Sequence, residues 1–80
     1  MAKIVDDPVA KAHQLMVEAA LDMTRLKPKM RRACRLVLLN DMKPASAARR
    51  VGARRQLVHR ALIIARVRLA EVKAYMEKLP

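Results

Sequence analysis

"PASAARRVGARRQLVHR", Pro44 to Arg60, holds the chain's one glycine, Gly52, among five arginines. Its spacing decides the reading of the fold. Pro44 starts a short helix that stops at Gly52, and a second helix follows. Two helices that cross steeply and closely need a small residue at the crossing, which Ala48 supplies. The tight turn between them needs a positive φ, which glycine adopts without steric cost, and Gly52 falls four residues after Ala48. Ala47, Val51, Ala53, Val58 and Ala61 provide the apolar positions such a pair must bury. Ala48, Gly52 and Val58 are thus the turn and packing residues of an expected helix-turn-helix.

Outward from this segment the chain reads as all-α. It has 80 residues, 54% of them hydrophobic, with no Trp or Phe and a single Tyr; the apolar content is Ala, Leu, Val, Met and Ile. These are mostly good helix formers, and Gly and Pro are scarce. Asp7-Pro8 opens a helix with an acid at the N-cap and proline at the first helical position. Val9, Ala12, Met16, Ala19, Met23 and Leu26 then recur in steps of three and four, which predicts a helix to about Leu26 with those residues as one stripe. Lys27-Pro28 opens a second helix, on which Met30, Ala33, Cys34, Val37 and Leu38 share a face. Asn40 is the expected left-handed end of that helix.

Beyond Gly52 nothing breaks a helix before Pro80. Val58, Leu62, Ala65, Leu69, Val72, Met76 and Leu79 alternate in steps of four and three, while Ile63, Val67, Ala70 and Ala74 form a second stripe on another face. One helix with two apolar faces needs two partners. A small bundle of four to five helices is therefore expected, forming a homodimer through the first and last helices; an antiparallel pair of those helices within one chain is the simpler alternative. The expected organisation is a single domain over residues 1–80, with the helix-turn-helix at 44–64 and bundle or dimerisation helices at 8–26 and 65–79. Leu62, Leu69, Val72, Met76 and Leu79 are the candidate dimerisation residues.

Charge points to the partner. Eighteen Lys and Arg against seven Asp and Glu leave +11. From Arg25 to Arg68 there are fourteen basic residues and one acid, Asp41, whereas the flanks hold four basic and six acidic. A basic centre between weakly acidic ends is a localised footprint for a polyanion. A recognition helix enters the major groove with its N-terminal turns, so the early outward residues Arg54, Arg55, Gln56, His59 and Arg60 are the candidate base contacts. Arginine can hold guanine O6 and N7 together, and glutamine the adenine N6 and N7, which favours Arg55 and Gln56 as readers; Arg54 suits either bases or phosphates. Arg49 and Arg50 at the end of the short helix, Lys43 at its start, and Arg31, Arg32 and Arg35 on the preceding helix are the candidate phosphate contacts.

"NDMKPASAARRVGARRQLVHRAL" resembles the helix-turn-helix of the TrfB/KorA-type transcriptional repressors of plasmids, which have relatives in phages and mobile elements. The likeness covers roughly residues 36–66 and is carried by Lys43-Pro44, Ala47-Ala48-Arg49, Gly52 and Val58-His59-Arg60. It implies a dimeric repressor acting on short palindromic operators. The pattern departs at Arg54, where such proteins have Ser or Thr, so the second helix lacks its usual capping oxygen, a loss of about 1 kcal/mol.

Other functions find little support. His13 and His59 are far apart and lie in no metal-ligand spacing, so neither a metal nor another cofactor is expected. Glu18 and Asp22, four apart, read as ordinary surface, and no acid–base or nucleophile constellation indicates an enzyme. Met16, Met23 and Met30 recur every seven residues as core-packing positions. Cys34, alone, forms no intramolecular disulfide and reads as a buried thiol beside Arg35. The apolar runs are too short to span a bilayer, and "MAKIVDDPVAK" lacks a signal-peptide pattern, so a cytoplasmic, nucleoid-associated protein is expected, with double-stranded DNA as partner, no membrane and no small-molecule ligand. Two readings compete with the sequence-specific regulator: a non-specific architectural nucleic-acid-binding protein, and a basic helical module that binds an acidic protein partner.

Overall fold

A computed structural model describes residues 7–79. The expected lack of a signal peptide rests partly on residues 1–6, and the expected helix break is at Pro80; both lie outside the described residues. Four helices follow in order: α1 (Pro8–Asp22), α2 (Pro28–Asn40), α3 (Pro44–Val51) and α4 (Arg55–Glu77), with no strand among the described residues. α4 packs along all three others, α2 also meets α1 and α3, and α1 and α3 do not touch.

Local chemistry explains most of the boundaries. Asp7 caps α1 by accepting the Val9 N–H at 3.0 Å, and Pro8 occupies the first turn. α1 stops at Asp22, earlier than the apolar spacing predicts. The Thr24 hydroxyl donates to the Leu21 carbonyl at 2.7 Å and the Leu26 N–H reaches back to Thr24 Oγ1. Those bonds turn the chain before Leu26 can join the helix. α2 ends one residue later than expected: Asn40 is its last helical residue, and Asp41 takes the left-handed conformation at φ 56°. Residues 55–77 form one unbroken helix, so the segment expected at 65–79 is the far half of α4.

The core consists of Val17, Ala20 and Leu21 from α1, Ala33, Cys34 and Val37 from α2, Ala47, Ala48 and Val51 from α3, and Val58, Ala61, Leu62, Ala65 and Leu69 from α4. The regular apolar stripe of α1 is not the buried one, and of the methionines expected to pack in the core Met16 and Met30 are half-buried and Met23 is exposed. Val17, Ala20 and Leu21 lie on another face of the helix, while Val9, Ala12, Ala19 and Met23 are exposed and Met16 is half-buried. α1 is apolar on two faces, and the more regular stripe is the one left outside.

The expected dimerisation stripe of α4 divides in the same way. Leu62 is fully buried and Leu69 almost so, both inside the single chain, which removes them from any interface between copies. Val72 is half-buried, and Met76 and Leu79 are exposed. α2 is tied to α1 by polar contacts: Arg35 grips the Glu18 carboxylate through two hydrogen bonds of 2.6 and 2.9 Å, Arg31 pairs with Asp22, and the His13 ring Nε2 donates to the Leu38 carbonyl at 3.3 Å.

Candidate nucleic-acid interface

Where α3 gives way to α4, backbone geometry is set by Gly52 at φ 72°, ψ 44°. The Gly52 N–H bonds the Arg49 carbonyl at 3.2 Å and the Ala53 N–H bonds the Ala48 carbonyl at 2.8 Å. This pair of bonds is the Schellman arrangement, which satisfies two of the carbonyls left over at a helix end. Ala47, Ala48 and Val51 turn inward from α3 to meet Val58, Ala61 and Leu62 of α4. A contact not foreseen from the sequence supports the turn: Lys29, on the first turn of α2, donates its ammonium to the Gly52 carbonyl at 3.3 Å. No local pattern signals this link, because it depends on how α2 lies against the turn.

Val58, Ala61 and Leu62 are held inside, and the rest of the first turns of α4 faces water. Arg54, Arg55, Gln56, His59 and Arg60 are all exposed, and none of these side chains makes a hydrogen bond or ion pair with another described residue. Among the phosphate candidates, Lys43, Arg49, Arg50 and Arg32 are likewise exposed and unpaired. Arg31 and Arg35 differ, being half-buried and engaged by Asp22 and Glu18. The hydrogen bonds from Arg35 hold the Glu18 carboxyl below its ordinary value, and the same contact raises Arg35. These two arginines act as cross-braces between α1 and α2.

The helix starts share an electrostatic oddity. The N-cap residues of α2, α3 and α4 are Lys27, Lys43 and Arg54; none makes a side-chain capping bond, and none of the three first turns carries an acid. A helix N-terminus is the positive end of the macrodipole, where acids stabilise and bases do the reverse. Three helices that each place a base there leave exposed N–H donors and positive charge without an internal counterion. This is favourable once an anion is nearby.

Other chemistry is sparse. No group of three or more His, Cys, Asp or Glu among the described residues could hold a metal ion. Burial pushes the Cys34 thiol up to about 11, against a weaker opposing pull from Arg66. Arg35, its sequence neighbour, is turned toward Glu18 instead. The thiol is therefore protonated at neutral pH and shielded from reagents. No helix among the described residues is long and apolar enough to cross a membrane.

No protein-family profile matches the chain, and comparison with curated proteins and with solved structures finds no similar one. The likeness to TrfB/KorA-type repressors rests on the residues around Gly52 alone.

Proposed function

We propose that this protein is a sequence-specific double-stranded-DNA-binding regulator of transcription, a dimeric repressor that reads a palindromic operator through the major groove. In this reading α3, the Gly52 turn and the first turns of α4 are a helix-turn-helix, with α4 as the recognition helix. The observation that carries it is the set Arg54, Arg55, Gln56, His59 and Arg60: exposed, free of internal partners, and gathered at the N-cap and first turns of α4. Such an arrangement suits base-edge contacts from the N-terminal turns of a helix. Lys43, Arg49, Arg50 and Arg32 supply phosphate contacts around it. Phosphate oxygens would also satisfy the uncapped helix starts at Lys43 and Arg54.

Selection of bound duplexes from a random DNA pool tests the reading. The expected result is a palindrome with half-site centres about 10 base pairs apart, or a multiple of that. Replacing Arg55 or Gln56 with alanine is expected to weaken operator binding by roughly tenfold to a hundredfold per side chain, since a bidentate base contact is worth about 1–3 kcal/mol. Helix content should stay unchanged, because both side chains are exposed. A pool with no consensus but steep salt dependence would identify a non-specific nucleic-acid binder instead. Absence of DNA binding at low salt would leave the basic face to an acidic protein.

A further inference from the structure

Lys29 stands 23 residues before Gly52 in the chain, yet its ammonium donates to the Gly52 carbonyl at 3.3 Å. That bond uses one of the three N–H donors of the group, and no carboxylate among the described residues pairs with it. The contact is exposed, so water competes for the same carbonyl and the tether alone contributes little to the fold. The ammonium joins Arg49, Arg50, Arg54 and Arg55, which lie within three residues of Gly52 in the chain. All four are exposed and have no acidic partner among the described residues.

We infer that Lys29 is a contact to the phosphate backbone of duplex DNA, supplied by α2 from outside the helix-turn-helix. One N–H holds the Gly52 carbonyl, and the remaining donors meet a phosphate oxygen beside the turn. The inference rests on the DNA-binding part of the proposed function and is independent of sequence specificity. Two features separate Lys29 from an ordinary surface lysine. Five cations gathered around one turn without an acid repel one another, a carbonyl dipole offsets only part of that, and a phosphate relieves it. The tether also fixes where the ammonium lies, so this side chain gives up less freedom on meeting a phosphate than an untethered lysine does. Arg32, exposed and one turn further along α2, extends the same edge.

A phosphate contact carries no sequence information but fixes how a protein sits on the duplex. Here one ammonium touches both the phosphate and the turn from which α4 departs. Backbone contact and the placing of Arg55 and Gln56 are thereby joined through a single group.

The test is binding of the full chain to two duplexes of unrelated sequence, measured across about 50–200 mM salt. Lys29→Met is expected to lower the slope of log affinity against log salt by about 0.9, the share of one phosphate contact. Both duplexes should lose the same factor, about fivefold to tenfold at roughly 0.1 M salt. Lys29→Arg keeps the charge and is expected to keep the slope. Lys73→Met makes the same charge change about 27 Å along α4 from Arg55 and is expected to leave the slope unchanged. Helical circular dichroism should be retained in all three, since both positions are exposed. A Lys29→Met slope equal to that of the wild type overturns the inference, even where affinity falls, because a brace for the turn would act that way. A loss confined to one of the two sequences marks a base contact and also overturns it, as does an equal drop in slope for Lys73→Met. A wild type that binds neither duplex at about 50 mM salt overturns it together with the DNA-binding reading. One that binds both duplexes alike, with the slope change at Lys29, removes specificity and upholds the contact.

Discussion

Gly52 lies at φ 72°, and a Cβ built on it would meet no atom within 4 Å. The cost of a side chain there is thus purely conformational, about 1–2 kcal/mol for an L-residue in the left-handed region. Gly52→Ala is expected to lower the urea-unfolding free energy by about that amount, and Gly52→Asn by less, since asparagine tolerates the conformation better. A loss well beyond this range would mean that the turn is held by more than its backbone. The glycine was legible because a lone Gly between two apolar runs has few other roles. Asp41 was not: Asn40 and Asp41 both suit a left-handed helix end, and the choice depends on how far α2 extends before the Asp41 and Met42 N–H groups reach the Leu36 carbonyl. Cys34 was legible as buried from its apolar neighbours, but the cation that reaches its thiol comes from Arg66, far along the chain.

Among the elements, α4 begins under the least favourable conditions. Arg54 adopts an extended N-cap backbone without a capping bond, and its carbonyl accepts from both Leu57 and Val58. Arg54→Ser is expected to raise the midpoint of urea unfolding, with a gain of about 0.5–1 kcal/mol, by giving the first turn an oxygen acceptor. The same change should weaken DNA binding, so stability and affinity move in opposite directions. That opposition distinguishes a base kept for DNA from one tolerated by neglect. Helix identities and starts were readable because Asp7-Pro8, Lys27-Pro28 and Lys43-Pro44 mark them locally. Which face turns inward was not. On α1 the stripe from Val9 to Met23 has the cleaner period, but Val17, Ala20 and Leu21 are the residues buried. Periodicity identifies an apolar face without identifying what covers it, and on a helix with two such faces the packing of α2 and α4 makes the choice. The same limit divided the α4 stripe, which fills the core as far as Leu69, leaves Val72 half-buried and has Met76 and Leu79 outside.

At the scale of the molecule, six of the fourteen core residues among the described ones are alanine, so the helices approach closely but those positions contribute little apolar area. Polar cross-braces between α1 and α2 then matter more than they would over a larger core. The Arg35–Glu18 pair is partly exposed, which limits it to a few tenths of a kcal/mol up to about 1. Glu18 titrates below its ordinary 4.5, so the pair stabilises the fold fully above that pH. Its contribution disappears as pH falls through the lowered value. Glu18→Gln is therefore expected to shift the urea midpoint downward at pH 7, with the gap to the wild type narrowing progressively as the pH is taken below 4.5. A gap that persists in acid would show that the glutamine disturbs packing instead. The unbroken run of α4 from Arg55 to Glu77 has a consequence of another kind. Twenty-three residues make a stiff rod about 34 Å long, with one end bearing Arg55 and Gln56 and the other Met76. A rod has an angular phase as well as a length: each inserted residue advances the far end by about 1.5 Å and swings it by about 100°. A descendant of this chain can lengthen α4 only in near-whole turns, seven residues being the smallest even step, or its two ends no longer face the directions they face now.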